Sequence, residues 1–297
     1  MFEYTKNNHV DVGFTCNDDF YFKHGTVASY KSWRNECKST AQELYDLHGN
    51  NLVLLLSGGL DSEVMLHSFI ACGITPRVAI FRYERNLNLH DINYALRICA
   101  ARGISPEIID INVETFFNTV LLDFALKTRC SSPQLNLYYY YANQLDGIPV
   151  FGAGENYLIR HIGKKNIYDC EEARVGTIYT YFRSIQRECI PAFFQYTPET
   201  MVSYLQKESV YRWVETAFND RYINSKKIKP SIIAEDFDIE PRGKLTGFEL
   251  MMDLDKTYRD KLLAMNLGDG GEQLIPFEEY ISMFGVELLR PIKYEYT

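Results

Sequence analysis

The chain has 297 residues, 46% of them hydrophobic and 24% charged, with a formal net charge of −8. That balance suits a globular protein of one large or two smaller domains. It disfavours a nucleic-acid partner, whose binding rests on a basic face that neutralises phosphates. The charge is evenly spread: residues 1–150 hold 12 basic and 16 acidic side chains and residues 151–297 hold 19 and 23, so each half is −4. No apolar run approaches the ~20 residues that cross a bilayer, and Met1-Phe2-Glu3-Tyr4-Thr5-Lys6 lacks the basic-then-apolar pattern of a secretion signal. A soluble cytoplasmic protein with no membrane partner is expected. The seven cysteines, at 16, 37, 72, 99, 130, 170 and 189, never form CxxC, which argues against a disulfide framework or a structural zinc site.

Trp33, Cys37, Thr40, Leu44 and Leu47 recur at helical spacing and stop at Gly49, so residues 1–50 read as an N-terminal extension carrying a helix. Leu52-Val53-Leu54-Leu55-Leu56 is continuously apolar, as in a central parallel strand covered on both faces. Ser57-Gly58-Gly59-Leu60-Asp61-Ser62 comes next, followed by the amphipathic stretch Glu63 to Cys72. The order is strand, tight glycine turn, helix. Gly58 and Gly59 reach backbone angles that a Cβ disfavours and leave room for a ligand against the main chain. Ser57, Asp61 and Ser62 are suited to cap or begin the helix. Backbone N–H groups and the positive end of a helix dipole then converge on an anion, and nucleotide phosphate is the first ligand to consider.

The alternation continues to about residue 155. Strand Arg77–Phe81 precedes helix Asp91–Ala101, strand Glu107–Ile111 precedes helix Glu114–Lys127, and helix Ser132–Leu145 leads to strand Pro149–Phe151. This pattern predicts an α/β fold, a doubly wound parallel sheet with ligands at the strand C-terminal ends. Residues 51–160 form the expected nucleotide-binding domain. Residues 161–297 read as a mostly helical substrate or C-terminal region, with a helix start at Thr197-Pro198-Glu199. Asp91 reads as a helix N-cap, and Tyr138 to Tyr141 cover every side of a helix, so some of their hydroxyls reach solvent or a cleft. Lys226, Lys227 and Lys229 make a compact basic cluster that a solvated loop explains as well as a phosphate site.

The loop is neither GxxxxGK[ST] nor GxGxxG. Ser57 to Ser62 instead resembles the pyrophosphate loop of the N-type ATP pyrophosphatases (PP-loop, adenine nucleotide alpha-hydrolase-like). That superfamily includes asparagine, NAD, GMP and argininosuccinate synthetases and the phosphoadenosine-phosphosulfate reductases. The wording is nearest to the asparagine synthetase C-terminal domain and to the reductases. The resemblance implies a Rossmann-like fold in which Ser57, Gly58, Gly59, Leu60, Asp61 and Ser62 hold the β- and γ-phosphates of ATP. A substrate oxygen then attacks the α-phosphorus. It also implies that Phe81, at a strand end, lies by the adenine, and that Gly152, Gly154 and Glu155 of a second glycine loop face the pyrophosphate. Mg²⁺ would bridge to Asp61 and Glu155. Several members bring a cation from a C-terminal segment, which makes Arg242 and Lys244, within Glu240 to Glu249, the candidates for charge developing at phosphorus. The missing CxxC pairs disfavour members that carry them, including 7-cyano-7-deazaguanine synthases.

The leading expectation is an ATP-dependent adenylating enzyme, forming AMP and pyrophosphate, with a small-molecule acceptor as partner. A homo-oligomer stays open. A sulfonucleotide reductase is the first alternative, weakened because the last cysteine is Cys189 and no Glu-Cys-Gly surrounds it. A non-catalytic nucleotide-binding regulatory module, which would use the same glycines, is the second.

Overall fold

The computed structural model describes residues 3–4, 10–14, 20–24, 29–153, 157–161, 167–171, 175–210, 212, 222–224, 228–269, 274–276 and 292–295. Strands β1 (Glu3–Tyr4), β2 (Val10–Phe14) and β3 (Phe20–His24) form a three-stranded antiparallel sheet. Helix α1 (Trp33–His48) then buries Trp33, Cys37, Ala41 and Leu44, one stripe of its surface, and Gly49 at φ +56 ends it.

The expected alternation follows as β4 (Leu52–Leu55), α2 (Leu60–Ala71), β5 (Arg77–Tyr83), α3 (Leu89–Ala101) and β6 (Glu107–Ile111). After it come α4 (Val113–Thr119), α5 (Leu121–Thr128), α6 (Pro133–Ala142) and β7 (Ile148–Phe151). The single helix expected over 114–127 is two, α4 and α5, which meet at Val120, where φ widens to −119. Phe116 and Phe117 on one piece and Leu121 and Phe124 on the other all reach the core.

The four strands pair in parallel in the order β6-β5-β4-β7. The chain winds outward from β4 to β6, then returns to lay β7 on the other side of β4. The order therefore reverses at β4, and the crevice between the C-terminal ends of β4 and β7 is the switch point where such sheets bind ligands. The period of two in β4 divides its side chains between two cores. Leu52 and Leu54 join Val64, Met65 and Phe69, while Val53 and Leu55 join Phe116, Tyr139 and Phe151.

The C-terminal part contributes helices α7 (Val175–Ser184), α8 (Pro198–Leu205), α9 (Lys229–Phe237) and α10 (Met252–Ala264). Thr197 caps α8 as read, accepting the Thr200 N–H at 3.2 Å. Beside these helices stand strands that the sequence did not signal. β8 (Tyr157–His161), β9 (Ile167–Glu171) and β10 (Tyr222–Asn224) precede a hairpin of β11 (Leu267–Asp269) and β12 (Leu274–Pro276). β13 (Ile292–Glu295) completes an antiparallel sheet ordered β10-β8-β9-β13. β8 and β9 are near neighbours in the chain, but β10 and β13 pair with them across long stretches, as in Ile292 opposite Cys170, so no local pattern announces those pairings.

One core joins Trp33 and Phe69 to Phe193, Tyr204 and Phe237, and the other joins Phe81 and Phe116 to Tyr181, Met251 and Tyr258. Ile190 also extends the central sheet beyond β7, donating its N–H to Pro149 O at 2.9 Å and accepting the Phe151 N–H at 3.0 Å. Among the described residues no helix is long and apolar enough to cross a membrane.

Candidate functional site

The glycine loop leaves β4 at the switch point. Leu56 still pairs with the sheet, its N–H donating to Ala79 O at 2.9 Å, and Ser57 starts the turn. Gly58 has φ +83, and a Cβ there would lie 1.8 Å from the carbonyl oxygen of Asp91, so only glycine fits. Gly59 has an ordinary φ of −73 and a Cβ there would meet only Ser57 Oγ, at 3.3 Å. Its missing side chain keeps the mouth of the loop open. Ser62 Oγ donates to Gly59 O at 2.9 Å and lies 3.1 Å from Ser57 Oγ, while the Gly59 N–H donates to Ser57 Oγ at 3.3 Å.

Helix α2 starts at Leu60 with Gly59 as an N-cap that offers no side-chain oxygen. The N–H groups of a helix's first turn have no intrahelical acceptor, so this start is suited to an anion. Gly152, just past β7, packs on the same turn: a Cβ there would sit 2.9 Å from Ser62 Cα. Both loops expected at the site therefore meet at its floor. Gly154 and Glu155 lie outside the described residues.

Cations arrive from distant segments. Lys229, the first residue of α9, donates Nζ to Asp61 Oδ2 at 2.6 Å. Arg242 donates to Gly58 O from Nε at 3.2 Å and from Nη2 at 2.7 Å, and Nη2 also reaches the Glu63 carboxylate. The guanidinium lies 4.2 Å from the centre of the Tyr94 ring, close enough for a cation–π contact. Glu63 is also 3.6 Å from His67 Nε2. Burial pushes the Glu63 carboxyl up, but hydrogen bonds from His67 and Arg242, with the charge of Arg242, outweigh it and hold the group below its ordinary range. Lys244 is exposed two residues beyond Arg242.

Asp91 is not the N-cap expected of it. Asn88 occupies that position, and Asp91 Oδ1 accepts the Leu245 N–H at 2.9 Å, with His90 Nδ1 also 2.9 Å away. A Cβ on Gly247, at φ +89, would come within 2.8 Å of Leu87 O. The segment from Arg242 to Gly247 is thereby fastened to the loop, to α3 and to the turn before α3.

Phe81 is buried, with its ring centre 5.2 Å from that of Tyr138. Its carbonyl accepts Asn88 Nδ2 at 2.8 Å while Asn88 Oδ1 accepts the Tyr83 N–H at 2.9 Å, so Asn88 bridges the backbone beside the residue expected to lie by the adenine. Arg82 pairs with Asp110 at the surface instead, through contacts of 2.5 and 2.7 Å. Behind the loop, burial first, and then the charge of Asp91, push the Tyr138 phenol up to about 12. The hydroxyls of Tyr83 and Ser57 draw it down but are outweighed, so at neutral pH it stays protonated.

Sequence reasoning singled out the loop glycines and Arg242. It did not anticipate Glu63, Tyr94, Asn88 or the pairing of Lys229, and it left Tyr138 without a role. The only advance signal for Lys229 was its basic cluster, because its partner is 168 residues away. Among the described residues no group of three or more His, Cys, Asp and Glu side chains is placed to hold a metal ion.

No family model matches the chain. Sequence comparison finds the 7-cyano-7-deazaguanine synthase of Alteromonas mediterranea, 29% identical over 84 residues, and that of Psychromonas ingrahamii, 33% identical over 61 residues. The matches cover 28% and 20% of this chain, and only 37% and 27% of the two relatives. With the wording of the loop and its place in a doubly wound sheet, they decide the assignment. The chain belongs to the N-type ATP pyrophosphatase superfamily. The two relatives come from the branch that the absent CxxC pairs disfavour. Spanning so little of each, they carry this PP-loop superfamily and not that branch.

Solved structures that are similar include the NH3-dependent NAD synthetase of Campylobacter jejuni in complex with the nitrate ion, with a TM-score of 0.34 and 17% identity. It is covered over 94% of its length by 79% of this chain. The NMN synthetase of Francisella tularensis gives a TM-score of 0.32 and 12% identity, with 77% of this chain and 92% of that one covered. At such scores they add nothing to the assignment.

Proposed function

We propose that this PP-loop protein is an ATP-dependent, ligase-like enzyme that adenylates a small-molecule acceptor and releases pyrophosphate. One observation carries the reading: the uncapped start of α2 is held against Gly58 and Gly59 at the switch point of the sheet. The pyrophosphate part of ATP would lie on the first-turn N–H groups and the Ser57 and Ser62 hydroxyls. Gly152 lets the second loop close on that turn. The fit to Mg²⁺ rests on Asp61, a hard oxygen donor beside the loop; one carboxylate with phosphate oxygens and waters suffices. The ion would neutralise phosphate charge. Arg242, held beneath Gly58, keeps the loop in shape, and Lys244 is the exposed cation nearest to it in sequence.

Mass spectrometry of nucleotides after incubation with Mg-ATP and a metabolite extract tests the reading. AMP and pyrophosphate should appear together, and Asp61→Ala should lower their formation by about 100-fold or more, since a charge-stabilising group at the phosphates is lost. Undiminished AMP formation by that variant would remove the assigned site. ATP binding without turnover for any acceptor would leave a binding module.

A further inference from the structure

The ion pair between Lys229 and Asp61 lies where a cation is electrostatically misplaced. Asp61 is the second residue of α2, so the ammonium 2.6 Å from its carboxylate sits at the positive end of that helix. A cation there opposes the helix dipole even when exposed, and these side chains are only 13% and 25% exposed. Asp61 holds Lys229 in that field, whereas an anion on the loop would attract it. Arg242 cannot take the same part. Its side chain is 7% exposed and its guanidinium is shared among Gly58 O, Glu63 and the Tyr94 ring.

We propose that Lys229 gates the site. In the nucleotide-free protein it occupies the Asp61 carboxylate, and when nucleotide binds it moves to the phosphate oxygens and leaves Asp61 to the divalent cation. The proposal rests on the ATP reading and adds an order of loading to it. A divalent cation arriving alone competes with an ammonium already on the carboxylate, so it binds weakly. Nucleotide supplies a new partner for Lys229, so metal and nucleotide affinities are coupled, each raising the other by the same factor. Lys229 acts here through its exchange of partners, and its test needs no turnover.

Mn²⁺ is the probe, with free Mn²⁺ followed by electron paramagnetic resonance during titration of the full chain. The proteins are wild type, Lys229→Met and Lys229→Met/Asp61→Asn, each with and without α,β-methylene-ATP. Without nucleotide, Lys229→Met should bind Mn²⁺ about 10-fold more tightly than wild type, and the double variant should lose that gain. The Mn²⁺–nucleotide complex should bind Lys229→Met about 10-fold more weakly. Lys229→Gln, with a neutral donor at similar reach, makes the same comparisons should the methionine variant not fold. Mn²⁺ affinity that is unchanged or lower in the single variant overturns the gate. A wild-type protein that binds no nucleotide overturns the ATP reading instead, and the Mn²⁺ arm still decides whether Lys229 guards Asp61.

Discussion

Gly58→Ala should destabilise the protein by more than about 3 kcal/mol, lowering the melting temperature by about 5 °C or more, while Gly59→Ala leaves it within about 2 °C. The two glycines are adjacent and look equivalent in the sequence. Gly58 is at φ +83, and an added Cβ would meet the carbonyl oxygen of Asp91 at 1.8 Å and its carbon at 2.4 Å. Those are backbone atoms in the first turn of α3, so no rotamer change relieves the clash. Either the loop or that turn must shift, and the left-handed angle adds strain of its own. At Gly59 the angle is ordinary and the nearest atom is the hydroxyl of Ser57, which can turn away. Its methyl group would instead narrow the mouth of the loop. Circular dichroism melts with titration of α,β-methylene-ATP separate the effects: Gly58→Ala fails in stability, Gly59→Ala in nucleotide affinity alone. Equal melting temperatures for the two would show that the contact between Gly58 and α3 is wrong.

Arg242→Met should cost about 3–5 kcal/mol, the scale seen when one partner of a buried ion pair is removed. Glu63 is 14% exposed and Arg242 7% exposed, so the variant strands a carboxylate beside the loop with His67 nearby and takes two donors from Gly58 O. Removing both charges, as in Arg242→Met/Glu63→Leu, should recover most of that loss, because a buried pair can be replaced by apolar side chains at little net cost. A double-mutant cycle on the melting free energies measures the coupling. Additive losses would mean that the two side chains do not interact. Acid titration gives an independent reading. The Glu63 carboxyl is lower in the folded protein than the ordinary value of 4.5. A depressed carboxylate contributes stability that is fully present above its unfolded value and is lost as pH falls through the folded one. Wild type should therefore lose stability more steeply than Glu63→Gln as pH falls below 4.5. Matching acid limbs would show that Glu63 keeps an ordinary value in the folded state.

The consequences of losing Arg242 show why the sequence disclosed only part of the site. Arg242 stood out through its company of glycines and carboxylates, yet its partners Gly58, Glu63 and Tyr94 lie far back in the chain. Asp91 looked like a helix cap because an acidic residue before a helix usually is one. Its carboxylate instead holds the Leu245 N–H, a contact that exists only once the two segments pack. The strand expected to end at Phe81 runs on to Tyr83, and that Asn88 bridges the Phe81 carbonyl depended on the shape of the turn into α3. Within residues 29–153, where unbroken apolar runs alternate with helical stripes, periodicity was a reliable guide. It missed the division at Val120, where φ widens to −119 within a continuous helical pattern.

By itself the sequence determined the parallel α/β core and the strand–glycine turn–helix unit. These follow from local rules: an unbroken apolar run for a strand buried on both faces, glycine where a Cβ cannot fit, and period 3.6 for the covering helices. Tertiary structure alone decided that the C-terminal helices share both cores of the sheet, that an antiparallel sheet joins residues 157–171 to 292–295, and that Lys229 meets Asp61. The physical reason is common to all three. Burial and ion pairing act between side chains close in space, and a contact spanning more than a hundred residues leaves no period or spacing in the chain that makes it.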